Sequence, residues 1–324
     1  MSNNKVILFL ILTVFEITFC FSNDSTIVQR NGFLKVDNAS LCNEIGGKAV
    51  LRGVSLGWHN WWSHYYEEET IDWLCRDWNC DVIRAASGVE PEGGFVDNPA
   101  FAFRCIEEVV DASIKNGVYV IVDWHTHSID LENAICFFTR IAKQYKDYPN
   151  IIYEIFNEPE DQDWSEVKKY SIEVIDAIRA IDKRNIILVG SPHWSQDVDA
   201  VADDPIVGYN NLMYSLHYYA GTHREDLRKK ANYALDKNIP LFISECAAME
   251  ASGDGELDYK EWNKWIMWAT NNNLSWIAWS ISNKKESCSM VNDRVDKVSN
   301  WEERDLTEWG VYCRNVLRNK YKDE

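Results

Sequence analysis

The stretch Ile151-Ile-Tyr-Glu-Ile-Phe-Asn-Glu-Pro159 begins as a buried strand and ends abruptly in polar residues. Proline removes the N–H that strand pairing needs, so Pro159 ends the strand and leaves Asn157 and Glu158 at its C-terminal mouth. In an α/β barrel that edge carries the chemistry. A glutamate facing water at a strand end is common, so the reading turns on how the other strands end.

Further apolar runs read as strands at Val50–Leu56, Val82–Ala86, Val118–His125, Asn185–Gly190, Leu212–Tyr218, Leu241–Glu245 and Ser275–Ser280. Most lack period-2 alternation, as expected of parallel strands buried on both faces. Amphipathic segments lie between them. Ala102–Asn116 stops at Gly117, a natural helix cap, and Asp163–Ile181 and Glu225–Lys237 carry apolar residues at helical spacing. Eight strands alternating with helices predict a (β/α)₈ TIM barrel of class α/β. No repeat, linker or appended module interrupts it, so 23–324 reads as one catalytic domain with a short polar lead-in to about Gly47.

The polar endings recur. Arg84 stands near the end of the second strand, and the third closes on Asp123-Trp124-His125. The sixth ends at His217-Tyr218-Tyr219, the seventh at Glu245 and the eighth at Trp279. All are expected on one rim. Two glutamates on strands four and seven would face each other across the barrel mouth. Glycosidic bonds are cleaved with retention by two carboxyls about 5–5.5 Å apart, one protonated and one ionised. Arg84 and Tyr219 are placed to hold Glu245 ionised by charge and hydrogen bonding, which lowers a carboxyl pKa. Asn157 is placed to bind a sugar 2-hydroxyl. Glu158 is therefore expected as the acid/base and Glu245 as the nucleophile.

Composition agrees. At 324 residues and 46% hydrophobic the chain can bury one large core. Its formal charge of −18 repels phosphate backbones and anionic lipid, which excludes nucleic-acid and membrane partners. The 15 Trp and 15 Tyr suit a cleft that stacks aromatic faces on pyranose rings. Residues 1–22 read as a secretory signal: Lys5, the apolar run Val6–Phe15 and small residues before the cut, with Glu16 keeping the run too short to span a membrane. A secreted protein is expected. Cysteines 42, 75, 80, 105, 136, 246, 288 and 313 remain after Cys20 is removed, an even number that favours disulfides in an oxidising compartment. Asn23, Asn38 and Asn273 begin glycosylation sequons. No spacing implies a metal or organic cofactor.

These motifs resemble glycoside hydrolase family 5, in particular endo-β-1,4-glucanases of bacterial type that also occur in some plant-feeding invertebrates. The resemblance is carried by Val82-Ile-Arg-Ala-Ala86, Tyr119-Val-Ile-Val-Asp-Trp-His125, Ile152–Pro159, Trp194–Val198, Met213–His223, Ala251-Ser-Gly253 and Ser275–Ser287. It implies a retaining enzyme with Glu158 as proton donor and Glu245 as nucleophile. It also implies that Arg84, His125, Asn157, His217, Tyr219 and Trp279 line the cleaved sugar's site. Trp61 and Trp62 match aromatic platforms on the non-reducing side, and Trp194 matches one toward the leaving group. Ala251, Ser252, Lys284 and Glu286 resemble family glucan contacts. The implied partner is a β-1,4-glucan, and the enzyme is expected to act as a monomer.

Three departures from that pattern stand out. Ser55-Leu56-Gly57 lacks a histidine common in relatives, and His59 stands at the wrong spacing to replace it. Gly88 stands where relatives often have tyrosine. Cys246 and Ala247 follow the nucleophile where an aromatic residue and glycine are usual, with Cys288 a candidate partner for Cys246. Other β-1,4-polysaccharides (mannan, xyloglucan, mixed-linkage glucan) are the alternative substrates, since a barrel does not fix specificity. A non-catalytic glucan-binding protein would have lost one of the two glutamates, and neither is lost. A serine or cysteine nucleophile lacks its motif: Ser244 has no Gly-x-Ser-x-Gly context.

Overall fold

In a computed structural model residues 25–320 are described; residues 1–22, expected as a leader, with Cys20, and Asn23 of the first sequon lie outside the described residues. Eight strands form a closed parallel barrel in sequential order: β1 (Arg52–Leu56), β2 (Val82–Gly88), β3 (Tyr119–His125), β4 (Ile151–Glu154), β5 (Ile186–Val189), β6 (Leu212–Tyr219), β7 (Leu241–Ala247) and β8 (Trp276–Ile281), with β8 pairing both β7 and β1. All eight expected strands are present. β4 is shorter than expected: its ladder ends at Glu154, and Ile155–Glu158 continue as irregular chain held by single bonds such as Asn157 N–H to Trp124 O (3.2 Å).

Several helices start where a side chain satisfies their first N–H groups. Asn98 caps Pro99–Asn116, which closes on left-handed Gly117. Asp163 and Glu166 form a capping box on Trp164–Arg179, and Asp258 caps Tyr259–Asn271. Each helix turns its apolar face onto the strands, and this outer shell forms the larger hydrophobic core.

A second core fills the barrel itself. Val82, Tyr119, Ile121, Ile152, Leu188, Phe242 and their neighbours close its floor, together with Leu34 and Leu41. The last two come from the lead-in, which is not merely polar: it forms a short helix (Ile27–Asn31) and an antiparallel ribbon (Lys35–Asp37 with Ser40–Cys42) that plugs the N-terminal end. Asn38 is exposed at the ribbon's turn and Asn273 is half-buried. Inside the barrel, side chains therefore change from apolar at the floor to ionic at the rim.

The expected disulfides are not formed. All eight described cysteines are free thiols, six of them buried. Cys246 and Cys288 do not bond each other: Cys246 Sγ donates to the Ile277 carbonyl of β8 (3.2 Å), and Cys288 Sγ lies 3.3 Å from Glu286. In place of cross-links, the six buried thiols fill apolar space or meet a local acceptor, while Cys136 is exposed.

β1 and β2 approach so closely at Gly53 that a Cβ there would sit 1.8 Å from the Val82 carbonyl oxygen. Gly53→Ala is expected to push the two strands apart and cost about 1–3 kcal/mol or more of stability, measured by urea unfolding; an unchanged midpoint would contradict this packing.

Candidate active site

The rim is organised by Arg84 on β2, which is fully buried. Its guanidinium donates to Glu154 Oε2 (2.7 Å), Glu245 Oε2 (3.0 Å) and Asn157 Oδ1 (2.7 Å), and lies 3.1 Å from Asp123 Oδ2. Burial alone would lower its pKa, but Asp123, Glu154 and Glu245 outweigh that and raise it, keeping the group cationic. One cation thus ties together groups from β3, β4, the loop after β4, and β7.

β6 supplies the next layer. Ser215, His217 and Tyr219 alternate along the strand and so face the barrel together. Ser215 Oγ donates to Glu154 (2.9 Å), His217 Nδ1 meets Glu158 Oε1 (3.0 Å), and Tyr219 Oη donates to Glu245 Oε1 (2.6 Å). The other His217 nitrogen, Nε2, bonds Ser244 Oγ (2.9 Å). On β3, His125 Nδ1 bonds Asp123 (2.6 Å), and its ring stacks on Trp279 (centroids 5.2 Å apart, 12° between planes). Burial pushes His125 well below the usual imidazole range, so it is neutral and donates its Nδ1–H to Asp123.

Glu158 and Glu245 face each other as expected. Ligand atoms of Glu158, His217 and Glu245 all lie within 4.8 Å of one another. That separation suits two carboxyls acting directly on one carbon better than a pair leaving room for a water between them. The same three groups have metal-site spacing, but the donor set is already committed: Arg84 and Tyr219 occupy the Glu245 oxygens, and both His217 nitrogens are bonded.

The charges of the pair differ from expectation. Arg84 and Tyr219 do contact Glu245, yet burial and the charge of Glu158 outweigh them and raise the Glu245 pKa. Burial works the same way on Glu158, but hydrogen bonds and charge from His127 and His217 bring it down to about 2. His217 in turn is raised to about 9: burial opposes the charge, and Glu154 and Glu158 overcome it. Both shifts favour the proton on His217 over Glu158.

The cleft over this pair is lined by Trp58, Trp61, Trp62, His125, His127, Glu158, Tyr219, Glu245, Ala251, Ser252, Trp279, Lys284 and Glu286, among others. Arg84, Asn157 and His217 lie just beneath. Trp194 is not among the lining residues: it stands 41% exposed on a turn after β5. His193, Trp194 and Ser195 all have left-handed φ (52°, 56°, 56°), a strained run. It is pinned by Trp194 N–H to Pro159 O (2.9 Å) and Ser195 Oγ to Asn157 O (2.7 Å), which places Trp194 beside the Glu158 loop.

Four residues not expected in the site matter here, Cys288 having been expected only as a partner for Cys246. Glu154 anchors Arg84, His127 Nε2 lies 3.2 Å from Glu158 Oε2, Trp58 stacks on Trp61 (4.9 Å), and Cys288 lines the cleft. Glu154 was legible within Ile152–Pro159 as an acid on a buried strand; His127 was legible only as the second histidine of His125-Thr-His127. The glycine departures are explained by tryptophans. A Cβ on Gly88 would meet Trp58 at 2.7 Å, and one on Gly57 would meet Trp62 at 2.7 Å. His59 does not enter the cleft: it is buried and its Nδ1 accepts from Gly88 N–H (3.1 Å).

Residues 42–285 match the family model for cellulase (glycosyl hydrolase family 5). The chain is 36% identical over 307 residues to an endoglucanase of Clostridium saccharobutylicum, covering 93% of this chain and 68% of that one. It is 40% identical over 273 residues to Endoglucanase Z of Dickeya dadantii, covering 82% and 62%. The chain thus spans roughly two thirds of the length of these relatives. Its fold is similar to the catalytic domain of Thermobifida fusca endoglucanase Cel5A in complex with cellotetraose, with TM-score 0.85, 29% identity, and coverage of 91% and 100%.

Because His217 rises from 6.5 to about 9 on folding, its ionic bonds stabilise fully below pH 6.5 and are lost as pH rises through 9. The contribution is on the order of 3 kcal/mol. Wild-type unfolding free energy is expected to fall across pH 6.5–9.5, and His217→Asn to flatten that decline; parallel curves for the two proteins would contradict it.

Proposed function

The chain belongs to glycosyl hydrolase family 5, and on that footing we propose that it is a secreted endo-β-1,4-glucanase working by double displacement, with Glu245 as nucleophile and Glu158 as acid/base. The observation that carries the roles is the kind of neighbour each carboxyl has. Glu245 faces the Arg84 guanidinium, which can only donate, so this contact favours its anion. Glu158 faces two imidazoles, His127 and His217, which can donate or accept. Such neighbours let it carry a proton in one step and release it in the next. The raised pKa of Glu245 fits the same scheme. Burial is its largest cause and persists, while the second, the charge of Glu158, vanishes when Glu158 is protonated.

In the first step a Glu245 carboxylate oxygen bonds the anomeric carbon. The bond to the leaving sugar's oxygen breaks, and Glu158 gives that oxygen its proton. In the second, Glu158 takes a proton from water, the water oxygen bonds the anomeric carbon, and the ester to Glu245 breaks. Asn157 Oδ1 is fixed by Arg84, which leaves buried Nδ2 without a protein partner and free to donate to the sugar 2-hydroxyl. Trp279 and His125 form the ring floor. Trp61, 52% exposed on one side, and Trp194, beside the Glu158 loop, support binding of a chain that runs through the cleft, as internal cleavage requires.

The experiment is reducing-sugar release from carboxymethylcellulose beside mannan, xylan and xyloglucan. Wild type is expected to cut carboxymethylcellulose best. Glu245→Gln should abolish turnover, and Glu158→Gln should lower it roughly 10²–10⁴-fold. Preference for another polymer would move the specificity; glucan binding without cleavage would overturn the catalytic reading.

A further inference from the structure

The acid/base carboxyl has an imidazole on each oxygen. His217 takes Oε1 from β6, deep in the barrel. His127 takes Oε2 from above, in the wall of the open cleft. A side chain at such a solvent-facing site would ordinarily be free to swing away; this one, though 35% exposed, is held by its ring contacts and by its backbone.

The holding begins with Glu90, in the loop after β2. Its Oε1 accepts from His127 N–H (3.1 Å), Ser128 N–H (3.2 Å), Ser128 Oγ (2.8 Å) and the Thr126 hydroxyl. Those bonds outweigh burial and keep Glu90 a carboxylate. The loop is then laced to the catalytic segment by backbone bonds: Glu158 N–H to Thr126 O (3.2 Å) and Glu160 N–H to His127 O (3.4 Å). Above, the His127 ring stacks on Trp58 (5.8 Å, 27°), which itself sits in the space over Gly88. The charged or titratable groups facing His127 are Glu158, Glu90 and Glu245 from other elements and His125 from its own strand end.

We propose that His127, clamped by Glu90 and Trp58, is a positioning residue that holds Glu158 Oε2 and sets how tightly the acid/base keeps its proton. The proposal rests on Glu158 being the acid/base. An Nε2–H donated to Oε2 stabilises the carboxylate. That favours proton release to the leaving oxygen and fixes the carboxyl's orientation toward it. The same bond makes Glu158 a weaker base for the water step, so the two steps are balanced against each other by one imidazole.

The test is the pH profile of kcat/KM on an aryl β-cellobioside for His127→Phe, which keeps a ring against Trp58 but has no N–H. Without the donor Glu158 holds its proton more tightly, so the high-pH limb is expected to move up by about half a unit or more, with kcat falling more than KM rises. His127→Gln, which keeps a donor, should shift less, and Glu90→Gln should shift in the same direction as His127→Phe. A His127→Phe limb that superimposes on wild type overturns the inference, as does a change confined to KM or to thermal stability. Glu158→Ala with azide separates the two claims. Azide rescue with an unmoved His127→Phe profile sinks the His127 role alone; no rescue sinks the acid/base assignment beneath it.

Discussion

Everything at the barrel mouth depends on one buried cation. Arg84 brings two carboxylates and an amide into hydrogen bonding and a third carboxylate, Asp123, into an ion pair. A guanidinium this deep is tolerable only because its charge is fully matched. The matching also works in reverse: without Arg84, Glu154, Asp123 and Glu245 would be buried anions close together. The planar fork of arginine suits this task where lysine's single ammonium would not, since separate N–H groups must reach separate strands. The cation thus fixes the orientation of Glu245 and, through Asn157, that of the loop bearing Glu158.

From this follows a division of labour between the two glutamates. Glu245 sits within β7, where the ladders to β6 and β8 both shift register, and is bonded by groups that favour its anion. Glu158 sits on irregular chain beyond the end of β4, between histidines on β6 and in the loop after β3. A fixed anion and a proton-exchanging acid are thereby built from the same side-chain type by environment alone.

The barrel and most of its rim were legible in the sequence because parallel strands announce themselves as apolar runs, and polar residues at their ends have only one face to occupy. Arg84, His125, Asn157, Glu158, His217, Tyr219, Glu245 and Trp279 do converge. What could not be read depends on contacts between segments remote in the chain. Nothing local to His127 tells that Glu90 would clamp its loop. Nothing local to Gly88 or Gly57 tells that Trp58 and Trp62 would fill the space above them, so apparent losses on the cleft wall are exchanges of one aromatic position for another. The balance of charge on Glu245 is hard to read for the same reason: its bonding partners show in the sequence, but the depth of burial that outweighs them does not. The even cysteine count suggested cross-links, yet the thiols are dispersed over separate elements and remain unpaired.

The central claim is that Glu245 forms the covalent bond to sugar while Glu158 moves the proton. Incubation with a 2-deoxy-2-fluoro-β-cellobioside bearing an activated leaving group, followed by peptide mass spectrometry, tests it most directly. The account predicts a stable fluoroglycosyl adduct on the peptide containing Glu245 and none in Glu245→Gln. An adduct on Glu158, or a product released with inverted anomeric configuration and no adduct, would contradict it.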